Sequence, residues 1–206
     1  MRKGVCVFGD SVVWGACLPK REAWADLLRN YLEAKSQFEV ELYNLGIDRD
    51  TSTNLLARIE LEASVRRPDV IIIAIGANDS IFRLNKHQDV TELQFIENLN
   101  SLLNIAFTFT KKVVFVGLGK GDDTDTVPLK RSTTGKCYSK EVTKLYNDYI
   151  KKFSFDHDIP FVDVFGQLTD ADFDDGLHPN IAGHKKIFDL VRNKLEDQGI
   201  VEFLLS

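Results

Sequence analysis

Residues Val70–Ile75 read Val-Ile-Ile-Ile-Ala-Ile, and no other stretch constrains the fold as tightly. Successive side chains of a strand point to opposite faces of a sheet, so a strand with one wet face alternates apolar and polar residues. Here both alternating sets are apolar. Such a strand needs cover on both faces, the situation of a central strand in a parallel sheet.

The rest of the chain supplies that cover. Gly4–Phe8 reads as a strand, and Glu22–Ala34 as a helix striped by Trp24, Leu27, Leu28, Tyr31 and Leu32. Phe38–Leu45 reads as the next strand and Asn54–Val65 as the next helix. Thr91 and Gln94 have the spacing of a capping box and open a helix carrying Phe95, Ile96, Leu99, Leu102, Leu103 and Ala106. Val113–Val116 is a strand, Val142–Phe153 a helix, Pro160–Val164 a short last strand and Ile181–Leu195 the last helix. This alternation predicts an α/β fold: a doubly wound, parallel, five-stranded sheet between two helical layers. The 206 residues fit one domain. A chain of this size buries enough surface to fold without a disulfide or a structural metal.

Composition narrows the function classes. A net charge of −5 argues against a nucleic-acid partner, which requires a basic face. The apolar part of the N-terminus is too short for a signal-peptide core, and no run reaches the length of a membrane span. The 3 cysteines, Cys6, Cys17 and Cys137, are scattered and odd in number, which fits a reduced, cytoplasmic protein. Cys6 is expected in the core. Cys17 lies close to Ser11 in sequence, but no His or Asp pattern points at it as a nucleophile.

In open α/β sheets, ligands bind beyond the carboxyl ends of the strands. There the chain places Gly9-Asp10-Ser11, Asn44-Leu45-Gly46, Gly76-Ala77-Asn78-Asp79 and the loop Asp174-Asp175-Gly176-Leu177-His178-Pro179. A serine hydroxyl becomes a useful nucleophile when a base takes its proton. His178 is the candidate base, with Asp174 or Asp175 to fix its tautomer. The N–H groups of Ser11 and Gly46 and the amide of Asn78 are candidate donors to an oxyanion. Each cluster alone reads as an ordinary turn. Their order and spacing, each after a strand, is what sets them apart.

The same blocks resemble the SGNH hydrolase superfamily, the GDSL esterases and lipases: Gly9-Asp10-Ser11-Val12-Val13-Trp14-Gly15, Asn44-Leu45-Gly46, Gly76-Ala77-Asn78-Asp79 and Asp175-Gly176-Leu177-His178-Pro179. The resemblance implies a flavodoxin-like α/β/α sandwich forming one hydrolase domain over residues 1–206. It implies Ser11, Asp175 and His178 as a catalytic triad, with Ser11, Gly46 and Asn78 as the oxyanion hole. The implied activity is hydrolysis of short-chain or acetyl esters through an acyl-enzyme, on small-molecule substrates, with no cofactor, no metal and no stable membrane insertion. Thioester cleavage, lysophospholipid hydrolysis or acyl transfer by the same site is the nearest alternative, and a non-catalytic binding module a distant one. Val13 departs from the small or hydroxyl residue usual two places after the serine. The Gly-x-Ser-x-Gly elbow of α/β-hydrolases is absent around Ser11.

Five further features carry expectations. Asp10 is expected to shape the serine turn. His184 is expected on the surface or as a helix cap, and His87 and His157 in solvent. Trp14 either lines the pocket or packs on the first helix. A metal set of Asp174, Asp175, His178 and His184 lacks a recognised ligand spacing. Finally, Gly119–Lys136 is polar and long for a connection, and is expected to form a flap beside the pocket with Val127–Leu129 as its contact.

Overall fold

The computed structural model describes residues 2–19, 22–37, 39–84, 88–130 and 132–206. Along the chain run β1 (Lys3–Gly9), α1 (Ser11–Trp14), α2 (Trp24–Lys35), β2 (Val40–Gly46), α3 (Ser52–Arg66), β3 (Val70–Ala74), β4 (Phe82–Arg83), α4 (Glu92–Phe109) and β5 (Val113–Val116). There follow α5 (Asp123–Thr126), β6 (Lys136–Cys137), α6 (Lys140–Asp156), β7 (Phe161–Val162), a 3-10 turn at Asp170–Asp172, α7 (Ile181–Asp197) and α8 (Ile200–Leu205).

The main sheet has 5 strands in the order β2-β1-β3-β5-β7, and each described pairing in it is parallel. The expected doubly wound α/β/α sandwich is therefore the fold. Strand alternation splits its core in two. Val5, Val7, Val70 and Ile72 face α2 and α7 through Trp24, Leu28, Leu32, Ile187, Val191 and Leu195. Cys6, Phe8, Ile71 and Ile73 face α3, α4 and α6 through Leu55, Ile59, Phe95, Leu99, Tyr146 and Ile150. Each fully buried Leu, Ile or Phe in these layers contributes roughly 1.5–3 kcal/mol. That demand on both faces explains why the central run holds no polar residue.

Element boundaries differ from the sequence reading at a few ends. The start of the expected second strand, Phe38, lies outside the described residues, and β2 runs on to Gly46. Pro160–Val164 narrows to Phe161–Val162, because only Phe161 and Val162 pair with β5. The Thr91 box is half formed: Thr91 Oγ1 accepts from the Gln94 N–H, while the Gln94 amide turns away and donates to Asn98 Oδ1 at 3.1 Å. A two-stranded antiparallel ribbon, β4 with β6, has no counterpart in the sequence reading, since two-residue strands carry no periodicity.

Register positions the site. Gly9 pairs with Gly46 on one side and with Ala74 on the other. Three strands thus end level, and the segments that follow them emerge side by side at one edge of the sheet.

Candidate active site

Ser11 is the first residue of α1, and the N–H groups of a first helical turn have no partner within the helix. Asp10 caps this helix by accepting the Val12 N–H at 3.0 Å, so the carboxylate fixes the turn that presents Ser11. Burial pushes the Asp10 carboxyl up to about 7, and neighbouring Asp79 adds to the rise, while the Val12 N–H opposes it. The expected structural part of Asp10 is what the geometry shows.

The loop after β7 brings Asp175 and His178 together. Asp175 Oδ2 lies 2.9 Å from His178 Nδ1, and Oδ1 accepts the backbone N–H groups of His178 at 2.7 Å and Leu177 at 3.1 Å. Gly176, at φ +77°, occupies left-handed backbone that a side chain disfavours, and this lets the loop turn between them. Partial burial pushes the Asp175 carboxyl up, but the hydrogen bonds from the His178 ring and backbone and the Leu177 N–H prevail. They hold it well below the usual carboxylate range, as an anion. Asp174, the alternative acid, contributes its backbone N–H to the His178 carbonyl at 3.3 Å.

Ser11, Asn78, Asp175 and His178 line one open cleft of about 620 Å³ with Trp14 and Tyr138. Trp14 is 57% exposed there, which settles it as a wall of the cleft. Ser11 and His178 share no direct hydrogen bond among the described residues. A second, narrower cavity of about 50 Å³ also opens on Ser11 and Asn78. It is walled by Ala74, Val116, Val164, Leu177 and Ile187.

Asn78 is held at both ends of its amide. Its Nδ2 donates to the Asp50 carbonyl at 3.0 Å, and its Oδ1 accepts from Tyr138 Oη at 2.9 Å. One amide hydrogen is left over for the cleft. Arg58 steadies Asp50 from behind at 2.7 Å and also donates to the Gly9 carbonyl at 3.2 Å. Asp79 turns away from the cleft and accepts the Ser52 N–H, anchoring α3 beside the site. Burial pushes the Asp79 carboxyl up to about 6, against the pull of its Ser52 hydrogen bonds. Sequence reasoning missed Tyr138 and Arg58. No local pattern marks either, because their partners are far away along the chain.

The Gly46 N–H donates to Asn44 Oδ1 at 3.1 Å, and the Asn44 amide continues to the Val13 carbonyl at 2.9 Å. A Cβ at Gly46 would stand 2.3 Å from the Trp14 nitrogen, so the glycine permits the close approach of β2 to α1. His184 is not on the surface, and the cap of its own helix α7 is Asn180 instead. It is fully buried, and its Nδ1 accepts the Trp24 N–H at 3.1 Å, which takes it out of any metal set with His178. Burial lowers its pKa to about 4, helped by His178 nearby. His157 sits exposed at the end of α6 as expected, and His87 lies outside the described residues.

The described residues of the Gly119–Lys136 segment are folded. It contains α5 and leads into β6, and the Asp122 N–H docks it on the Gly176 carbonyl at 2.7 Å. Gly119 and Gly121 border the small cavity; Leu129, Ser132, Thr133 and Thr134 border the cleft. Of the expected Val127–Leu129 contact, Leu129 faces the cleft and Val127 is 38% exposed.

Comparison with known proteins places this arrangement. An arylesterase of Vibrio mimicus is 25% identical over 193 residues, covering 92% of this chain and 86% of the relative. Esterase TesA of Pseudomonas aeruginosa is 28% identical over 112 residues, 54% of this chain and 52% of the relative. Among solved structures, the lipase/acylhydrolase from Enterococcus faecalis shares the fold with a TM-score of 0.77 at 24% identity, covering 96% of this chain and 97% of that one. The family model of the GDSL-like lipases and acylhydrolases matches residues 7–186, and the chain belongs to that GDSL-like Lipase/Acylhydrolase family.

Proposed function

We propose that this carboxylic ester hydrolase is a serine esterase, a single hydrolase domain over residues 1–206, that cleaves short-chain or acetyl esters through an acyl-enzyme. The observation that carries the reading is the grip of Asp175 on His178 in the cleft that also holds Ser11. With Nδ1–H bonded to the carboxylate, Nε2 is left as the proton acceptor. Ser11 Oγ attacks the ester carbonyl while His178 takes its proton. The Ser11 N–H and the remaining Asn78 amide hydrogen receive the negative charge that develops on the carbonyl oxygen. His178 then protonates the departing alcohol, and later draws a proton from water as that water attacks the acyl-enzyme. For Gly46 the supported part is structural, since Asn44 engages its N–H.

The small cavity supports a short acyl group. Its volume of about 50 Å³ and its walls of Ala74, Val116 and Ile187 suit an acetyl methyl or little more. The open cleft suits the alcohol. Fluorophosphonate labelling tests the mechanism: one label should map to Ser11 and block turnover of a short-chain aryl ester. Labelling elsewhere with turnover intact would overturn it. Adding alcohols and thiols as competing acceptors separates hydrolysis from acyl transfer.

A further inference from the structure

We propose that Cys17, Asp175 and His178 form an inhibitory binding site for a soft divalent cation of the zinc type. Cys17 Sγ lies 3.9 Å from His178 Nδ1, on the edge of the ring that Asp175 Oδ2 approaches to 2.9 Å. Among the described residues these three bring a sulfur, a nitrogen and a carboxylate oxygen within 4.8 Å of one another. With Zn–S near 2.3 Å and Zn–N near 2.05 Å, a tetrahedral site needs an S–N edge of roughly 3.5 Å. The thiol therefore has to approach Nδ1 by a few tenths of an ångström, the carboxylate has to back away from the ring by a similar amount, and the sulfur–oxygen span, within 4.8 Å, has to close to roughly 3.6 Å. Cys17 is exposed and borders the open cleft, so an ion has a path in. A mixed thiolate, imidazole and carboxylate set is a zinc or cobalt set rather than a magnesium or calcium one.

The balance of the step explains the inhibition. The Cys17 thiol releases one proton to solvent, and the metal takes electron pairs from Sγ, Nδ1 and one Asp175 oxygen. The ring proton moves from Nδ1 to Nε2, and no electron changes hands. Nε2 then carries a proton and cannot accept the one from Ser11. The inhibitory consequence rests on the esterase reading; the binding site does not.

The test has two independent arms. Cobalt(II) titrated into the full-length protein should give a thiolate-to-cobalt charge-transfer band in the near ultraviolet, lost in Cys17→Ser and kept in Cys137→Ser. Losing a residue that merely supports a metal ligand costs about ten- to a hundredfold in affinity elsewhere, so Cys17→Ser should weaken Zn²⁺ binding at least about tenfold by calorimetry. In the second arm, Zn²⁺ should inhibit hydrolysis of an aryl acetate, with the inhibition constant raised by the same factor in Cys17→Ser. Zn²⁺ should also protect Cys17 of the unmutated protein from alkylation, which covers the case of a variant that fails to fold. Equal zinc affinity with and without Cys17, absence of the cobalt band, or stimulation by Zn²⁺ would each overturn the proposal. A cobalt band in a protein without esterase activity would overturn the esterase reading and leave the site standing.

Discussion

Tyr138 Oη donates to Asn78 Oδ1 at 2.9 Å across 60 residues of sequence, and through this bond the residue that follows β6 fixes the amide proposed to meet the oxyanion. Burial raises the Tyr138 pKa, which keeps the phenol a donor. Asn78→Ala should lower kcat by about a hundredfold to a thousandfold, the cost of one oxyanion donor elsewhere. Tyr138→Phe removes one hydrogen bond to a neutral group, and should lower kcat by roughly three- to tenfold with a smaller change in KM. Restoring the ring but not the hydroxyl separates positioning from packing. A Tyr138→Phe enzyme with a raised KM and unaltered kcat would assign the tyrosine to substrate binding instead.

The proposed triad makes a joint prediction. Ser11→Ala and His178→Ala should each reduce turnover to a similar residual level, and the double variant should fall no further, because members of such a unit are not additive. Asp175→Asn should cost roughly 10⁴-fold in kcat by favouring the wrong ring tautomer. Steady-state kinetics on the singles and the double, with circular dichroism to verify folding, measure this. Additive losses in the double variant would mean that the two residues act in separate steps.

His184 predicts a pH dependence of stability. Its folded pKa, about 4, lies below the usual 6.5, because burial disfavours the charged ring. Between these values the unfolded chain binds a proton and the folded one does not. Stability from this group is therefore full above pH 6.5 and is lost as pH falls towards 4, by on the order of 3 kcal/mol in all. Asp10 and Asp79 act in the opposite sense: their raised pKa values, about 7 and about 6, favour the folded state at low pH and lose that contribution as pH rises. Urea titrations of wild type and His184→Gln at pH 8, 6 and 5 isolate the histidine. The difference between the two proteins should shrink or reverse towards pH 5. A gap that stays constant with pH would mean that His184 does not titrate with unfolding.

Much of this architecture was legible because it rests on local pattern. The apolar run at Val70–Ile75 announces two covered faces, and the level ends of β1, β2 and β3 explain why three of the four scattered blocks converge. The Asp175–His178 pair was legible because both partners lie within one turn. What stayed hidden depends on distance. His184 stands beside Lys185 and Lys186, which read as a solvated stretch, yet it is fully buried and accepts the Trp24 N–H of α2, 160 residues away. Gly46 reads as a bare N–H beside the serine until Asn44 is seen to fold back on it. Tyr138 and Arg58 reach Asn78, Asp50 and Gly9 through side-chain bonds that leave no periodic trace.

The last prediction concerns substrate choice. In the proposed reading the acyl group takes the cavity of about 50 Å³ and the alcohol the cleft of about 620 Å³, both of which Ser11 lines. Val116 is buried to within 2% and walls the small cavity, while Leu129 from the folded polar segment borders the cleft. Each methylene that finds apolar cover is worth about 0.8 kcal/mol, or roughly fourfold in rate when the contact is made in the transition state. The enzyme should therefore rank aryl acetate above butyrate and butyrate above octanoate, since added methylenes have no room. Val116→Ala should raise kcat/KM for butyrate relative to acetate by about threefold to tenfold, at some cost in stability from the opened core. Leu129→Ala should leave the acyl ranking alone and weaken bulky apolar alcohols instead. The described residues of the segment show no apolar face of the kind that opens on a lipid surface, so activity should rise smoothly through the solubility limit of a substrate. A jump at that limit, a preference for octanoate, or an acyl ranking untouched by Val116→Ala would sink this division of the site.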